Sequence, residues 1–276
     1  MFTAARLSPV PLVGATDIEG IALPRGRQVI ARQTDNPAAV AWISDKILHS
    51  AELTALMQSL AALFPKTGLW PVHVDGDSLQ SPRFDGALSG PDTRTLDAIE
   101  VLTSIVRSGP PADIEVDKSR LPELAFTVST DPARIAQPSR RRWPVPWRRR
   151  GAADPMSTEQ LLPLGNGGLL LVPVHRPADV PKALGWQGAA DHGAAGEQIS
   201  AILRSWEDRF DATLVGIGSD AMELSVPALS FTDDEQIHRL VSEHYAFCPD
   251  NLDLSHDIDD YIADLPGSRR WSFWWS

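Results

Sequence analysis

The chain has 276 residues, of which 43% are hydrophobic and 22% are charged, and it carries a formal net charge of −11. These proportions are ordinary for a globular protein with a buried core, and the length accommodates two domains. No apolar run approaches the ~20 residues that a membrane span requires, and the N-terminal residues make a poor signal peptide. The single cysteine, Cys248, excludes an intramolecular disulfide and suits a reducing compartment, so we expect a cytoplasmic protein.

The charge is divided unevenly between the two halves of the chain. Residues 1–150 contain 18 Lys and Arg against 16 Asp and Glu, whereas residues 151–276 contain 7 against 20, so their net charges are +2 and −13. An acidic surface repels phosphate backbones, which argues against nucleic-acid binding by the second half. Solubility is the simpler explanation of this acidity, and an acidic docking surface is the alternative.

The first part of the chain, residues 1–138, has the pattern of a small α/β unit. Its clearest helix has apolar residues at helical spacing, with Ser50 as the expected N-cap and Gly68 as the expected stop. The predicted elements are strands over 27–31 and 38–43, a helix over 51–63, a strand over 69–74, a helix over 96–106 and a strand over 121–129.

A basic segment, Ser139–Gly151, marks the clearest boundary, and residues 139–164 are assigned to a linker. The segment contains six arginines and two tryptophans, and its two prolines forbid a helix and favour an extended path. It could bind RNA, anionic lipid or an acidic protein surface through Trp143, Trp147, Arg141 and Arg149. The simpler interpretation is a linker that lies on the acidic half of its own chain.

The last part, residues 165–276, has the pattern of an α+β domain. A strand over 169–174 follows a glycine-rich turn, and a hairpin joins strands over 212–217 and 221–226. Helices are predicted over 195–210, 232–247 and 255–264, the second opened by a capping box of Thr232 and Glu235. With a closing strand over 271–275, this order predicts a ferredoxin-like split β-α-β sandwich with an antiparallel sheet.

The closing strand is rich in aromatic residues, which points to burial rather than to a frayed terminus. Alternation places Trp271, Phe273 and Trp275 on one face, where they should pack as core under the helices. Trp274 then lies on the opposite face. We expect the N-terminal part to cover that face, so that Trp274 anchors the two domains beside a cleft for a ligand or partner.

Several segments resemble a known family. They are Leu169–Val174 (LLLVPV), Ser205–Phe210 (SWEDRF), Glu243–Asp250 (EHYAFCPD) and Trp271–Trp275 (WSFWW). Together they resemble the bacterial domain of unknown function 4253, common in actinomycetes, over roughly residues 165–276. A weaker resemblance, in Thr67–Pro71, is to a segment that precedes this domain. Asp211 stands where the resemblance leads us to expect glycine, and no activity follows from the family.

Chemistry could cluster around His244, Cys248 and Asp250. His244 and Cys248 are four residues apart, so they share a helix face, and such a pair could be a nucleophile with its base or half a zinc site. That face is also apolar, and Cys248 lies at a helix C-terminus, where the dipole raises a thiol pKa. Asp250, Asp253 and His256 would have to complete a metal site. Buried structural residues are therefore the simpler interpretation, and no metal or cofactor is expected.

Two classes of function remain open on these residues. The leading hypothesis is a non-enzymatic protein that binds another protein or a small ligand. The rival is an enzyme, metal- or Cys/His-dependent and hydrolase-like, with its site around His244, Cys248 and Asp250 at the domain interface and His73 on the other side. Nucleic-acid binding through Arg140–Arg150 is a third possibility. The acidic run 250–264 lacks the glycine and final glutamate of an EF-hand loop, so capping explains it better.

Overall fold

The computed structural model describes residues 8–12, 14, 16–31, 38–80, 84, 96–108, 165–227, 229, 231, 234–252 and 258–276. The predicted strand over 121–129, the basic segment Ser139–Gly151 and Thr232 of the predicted capping box lie outside these residues. No helix in the described part is long and apolar enough to cross a membrane.

A seven-stranded mixed sheet is the centre of the described fold, and a short hairpin of β1 (Asp17–Ile18) and β2 (Ile21–Ala22) precedes it. Its strands are β3 (Gly26–Ile30), β4 (Ala39–Ser44), β5 (Leu69–Val74), β6 (Gly168–Pro173), β7 (Thr213–Ile217), β8 (Ala221–Ser225) and β9 (Arg270–Trp274). Their order across the sheet is β3-β4-β6-β5-β7-β8-β9. Strands from both halves of the chain therefore form one sheet.

Helices pack against this sheet and against each other. They are α1 (Ser50–Thr67), α2 (Gly76–Gln80), α3 (Ala98–Ser108), α4 (Val180–Leu184), α5 (Gly196–Phe210), α6 (Asp234–Phe247) and α7 (Ile258–Asp264). Helix α1 packs along β5 and β6, α4 along β4 and β6, and α3 against α5 and α6. Short 3₁₀ turns occur at Pro177–Asp179, Ala190–His192 and Pro249–Leu252.

Most predicted elements in the described part are confirmed, with ends shifted by a few residues, but the predicted N-cap of α1 is wrong. Ser50 is the first helical residue, and His49 occupies the cap position without a side-chain cap. The Oδ1 atom of Asn166 instead accepts the Ser50 amide hydrogen at 2.9 Å. The predicted helix end at Gly68 is confirmed. Gly68 has a left-handed φ of 64°, and its N–H donates to the Phe64 carbonyl oxygen.

The prediction of an antiparallel sheet is wrong. Strands β5 and β7 run parallel, with His73 in register with Gly216, so the sheet is mixed. A ferredoxin-like C-terminal fold is not confirmed, because β5 lies between β6 and β7. The physical reason is burial: all but the last residue of β6 is buried, and such a strand needs a neighbour at each edge, here β4 and β5. Helical and strand periodicities do not report which distant strands pair.

The two faces of β9 are confirmed as predicted. Trp271, Phe273 and Trp275 are almost completely buried, and the ring of Phe273 stacks on that of Trp206 from α5, with centroids 5.4 Å apart. Trp274 points to the opposite face and is 50% exposed. The described N-terminal strands extend the sheet at its other side rather than covering this face.

Candidate functional site

The segments that carry the family resemblance are joined to one another in the core. Trp206 Nε1 donates to Glu243 Oε2 at 2.8 Å, which ties α5 to α6. Arg209 Nη1 donates to Oε1 of the same carboxylate, also at 2.8 Å. The ring of Phe247 packs edge-on against both Trp206 and Phe273. Packing and hydrogen bonds in the core therefore account for these residues.

A charged cluster joins α5 to the segment after β6. Arg176 Nε donates to Glu207 Oε2 at 2.7 Å and Arg176 Nη2 to Asp208 Oδ1 at 2.7 Å, while Arg204 pairs with Asp179. Burial raises the pKa of Glu207 to about 7 although Arg176 opposes the shift. Glu207 Oε1 is buried and has no hydrogen-bond partner in the described part of the chain. The cluster ties α5 to the turn after β6 through paired charges.

His244 is completely buried among aromatic rings. Its Nδ1 atom lies 2.8 Å from the Tyr261 hydroxyl, and the ring contacts Trp206, Trp271 and Phe273 edge-on. Burial and, to a smaller extent, the charge of Arg209 lower the pKa of His244 to about 3. The imidazole is therefore neutral near pH 7. Its burial and its ring contacts favour a structural role for His244.

Cys248 and Asp250 secure the C-terminal strand. The thiol of Cys248 donates to the Trp274 carbonyl, with Sγ and O 2.9 Å apart, and burial raises its pKa to about 12. Asp250 Oδ2 accepts hydrogen bonds from both the amide and the hydroxyl of Ser276. A nucleophilic cysteine needs the opposite shift, toward the thiolate. This geometry favours the structural interpretation of both residues.

Metal binding finds no support in the described residues, which contain no group of three or more His, Cys, Asp and Glu able to hold an ion. Asp253 and His256, which the alternative of a zinc site would also need, lie outside that part of the chain. The candidate residues Trp143, Trp147, Arg141 and Arg149 lie outside it as well.

His73 lies in the sheet, next to carboxylates rather than to His244. Gly216 pairs with His73 on one side and with Glu223 on the other, so all three share a face. Because Gly216 has no side chain, the Glu223 side chain lies over it, and a Cβ at 216 would be 3.2 Å from that of Glu223. Burial lowers the pKa of His73, while Glu223 and, less strongly, Asp75 oppose the shift.

Trp274 stands on the same sheet face, among small residues. Ala221 is its partner across the strand pair, and Ser272 precedes it by two positions, so neither can cover the indole. Glu223 is opposite Ser272, and its Oε2 atom lies 3.6 Å from Arg270 Nη1. We refer to this surface as the Trp274 face; its residues are Gly216, Ala221, Glu223, Arg270, Ser272 and Trp274.

The backbone beneath Trp274 is held firmly. Its N–H donates to Asn251 Oδ1 at 3.2 Å, its carbonyl accepts the Cys248 thiol, and Asn251 Nδ2 donates to the Ser272 carbonyl at 2.6 Å. Asn251 thus occupies the free edge of β9 in place of a further strand. The edge is protected against strand addition, and the half-exposed ring is presented on a rigid support.

Two features of the sequence are consistent with the Trp274 face. Glycine inside a strand marks a close approach by another group, and Gly216 is such a residue. The alternation in β8, where Met222 and Leu224 are buried, places Glu223 on the opposite face. Neither signal reveals that His73 is a neighbour, because that contact depends on the pairing of β5 with β7.

A separate open groove lies between α3 and the start of α5, lined by Leu96, Asp97, Glu100, Val101, Ser104, Glu197 and Gln198. Asp97 Oδ1 accepts the amide hydrogens of Ile99 and Glu100, so this carboxylate serves as the cap of α3. With Asp97 used as a cap, nothing in the groove's lining singles it out as a binding site.

Comparison with known proteins gives one result that agrees with the expected resemblance. Residues 168–276 match the family described as Domain of unknown function (DUF4253). This part contains β6 to β9 and helices α4 to α7. Neither curated proteins nor solved structures match the chain.

Proposed function

We propose that this chain is a non-enzymatic binding module and that the Trp274 face is its recognition surface. The observation that carries the proposal is the contrast within β9. Trp271, Phe273 and the adjoining Trp275 are almost completely buried, whereas Trp274 exposes half of its surface. Tryptophan is the residue type most enriched among those that dominate binding energy at protein interfaces.

Rigid presentation supports this proposal. The amide and carbonyl of Trp274 are both hydrogen-bonded outside the sheet, to Asn251 and Cys248. A partner would meet an indole whose backbone is already ordered, so little conformational entropy is lost on binding. The small side chains of Ala221 and Ser272 leave room for a partner group beside the ring.

The state of the candidate catalytic residues supports a non-enzymatic role. His244 is neutral and sealed by aromatic rings, and the Cys248 thiol is a hydrogen-bond donor with its pKa raised to about 12. Neither is prepared for attack on a substrate. The single, buried cysteine also supports a cytoplasmic location, where thiols stay reduced.

A capture experiment with matched variants tests the proposal. Full-length protein, Trp274→Ser and Val106→Ser are immobilised and exposed to native lysate; Val106 lies on α3 and is 57% exposed, so it controls for loss of exposed apolar surface. We expect the wild type and Val106→Ser to retain the same partner and Trp274→Ser to lose it. Retention that does not depend on Trp274 in a folded variant would refute the proposal.

A further inference from the structure

We infer that the Trp274 face binds the same face of a second copy of this chain, so that two chains form a symmetric dimer. The inference rests on the proposed function and names its partner. It starts from the alternation along β8 and β9. On these strands Ala221, Glu223, Arg270, Ser272 and Trp274 all retain exposed surface, whereas the residues between them are buried. The two strands therefore present a surface of defined register.

This surface contains both a large side chain and the space that receives it. Trp274 pairs across the strands with Ala221, and Ser272 pairs with Glu223. A two-fold axis that runs parallel to the strands, between β8 and β9, places β9 of one copy opposite β8 of the other. Each Trp274 then lies over Ala221 of the second copy. Large side chains opposite small ones fill the space between two packed sheets.

The same axis makes the polar groups complementary. Ser272 lies opposite Glu223 of the second copy, so its hydroxyl can donate to that carboxylate. Within each copy, Glu223 Oε2 lies 3.6 Å from Arg270 Nη1, so the two charges of this face balance. Two such faces can meet without local repulsion, although each chain has a net charge of −11.

The protected edge of β9 determines how the two copies join. Asn251 hydrogen-bonds the Ser272 carbonyl and the Trp274 amide, so a second copy cannot add to β9 as a further strand. Contact is therefore face to face. The exposed positions of two strands are few beside the roughly 20–30 residues that each partner contributes to a stable interface. We expect a weak dimer with a Kd of about 10–100 μM.

Sedimentation velocity of the full chain tests the inference at concentrations from about 1 to 500 μM. Salt is kept at about 0.15 M, where the Debye length of about 8 Å screens repulsion between the acidic chains. The wild-type mass should rise from that of one chain to that of two. Trp274→Ser should raise the Kd at least about tenfold, and Val106→Ser should leave it unchanged. Ala221→Gln keeps the indole but fills the space opposite it, so it should also weaken the dimer.

A mixture of two variants supplies a readout that mere structural damage would not produce. Ser272→Glu places its new carboxylate opposite Glu223 of the second copy, so this variant should stay monomeric. Mixing it, fluorescein-labelled, with unlabelled Glu223→Gln should restore dimers that contain the label, because the carboxylate then faces an amide. Absence of this rescue in folded variants overturns the inference.

Two further outcomes overturn it: a wild type that stays monomeric at every concentration, and a dimer that is indifferent to Trp274→Ser. In either case, Trp274-dependent retention of a different protein from lysate leaves the proposed function standing. If neither self-association nor lysate retention depends on Trp274, both proposals fail.

Discussion

The thiol of Cys248 donates a hydrogen bond to the backbone carbonyl of Trp274, with the sulfur and oxygen 2.9 Å apart. This contact joins the end of α6 to the strand that presents the exposed indole. It explains why a residue that looks chemically active in the sequence lies in a structural position. It also links the buried side of β9 to the proposed recognition surface.

Cys248 should be unreactive in the folded protein. Burial raises its pKa to about 12, so the thiolate fraction is negligible at pH 8. We expect iodoacetamide to leave native protein unmodified over hours and to alkylate it fully in urea, as followed by intact mass. Rapid modification of the native protein at pH 8 would instead support the enzyme hypothesis.

Replacing core and surface residues of β9 should separate their contributions to stability. Phe273→Ala removes a ring that packs against Trp206 and Phe247, and it should lower the free energy of unfolding by ~3–5 kcal/mol. Trp274→Ala removes a half-exposed ring and should cost less than ~1.5 kcal/mol. Urea unfolding of the wild type and of both variants measures these losses in the free energy of unfolding. Equal losses would mean that Trp274 is a core residue rather than a surface one.

His244 should make the protein less stable in acid. Burial lowers its pKa to about 3 from 6.5, so below about 6.5 the unfolded chain binds a proton that the folded chain excludes. Above pH 6.5 the imidazole is neutral in both states and costs no stability. As the pH falls from 6.5 toward 3, the free energy of unfolding decreases. At pH 4.5 the loss should be about 3 kcal/mol.

The variant His244→Gln should lack this part of the acid dependence, and His175→Gln is its control because His175 is exposed. Urea unfolding at pH 4.5 and 7.5 gives the free energy of unfolding of each protein at both pH values. If His244→Gln loses as much stability in acid as the wild type does, the imidazole is not sealed from solvent.

Glu207 should make the protein less stable as the pH rises, which is opposite to the effect of His244. Burial raises its pKa from 4.5 to about 7, so between these values the folded state holds a proton that the unfolded state releases. This contribution to the free energy of unfolding therefore falls as the pH rises from 4.5 to 7. Relative to wild type, Glu207→Gln should become more stable by about 3 kcal/mol between pH 4.5 and 8.

Asp208→Asn is the matched control, because Asp208 contacts the same Arg176 but is mostly exposed. Its stability relative to wild type should change little over this pH range. A flat difference for Glu207→Gln would show that Arg176 keeps the Glu207 carboxylate ionised at all these pH values.

The sequence by itself determined the local elements and the face that each presents. The strand over 69–74, the stop at Gly68 and the buried row of Trp271, Phe273 and Trp275 all follow from periodicity or backbone preference, which act over a few residues. The exposed position of Trp274 follows from the same alternation. The family resemblance over the last third likewise needed only short segments.

Tertiary structure alone decided which strands pair and which side chains meet. The parallel pairing of β5 with β7 places His73 near Glu223, and the approach of Pro249–Leu252 to β9 brings Asn251 to its edge. These contacts join residues far apart in the chain, and their free energy comes from burial and hydrogen bonds that form only once the whole sheet exists. The environments of His244 and Cys248 arise in the same way, because each is created by rings and carbonyls from other elements.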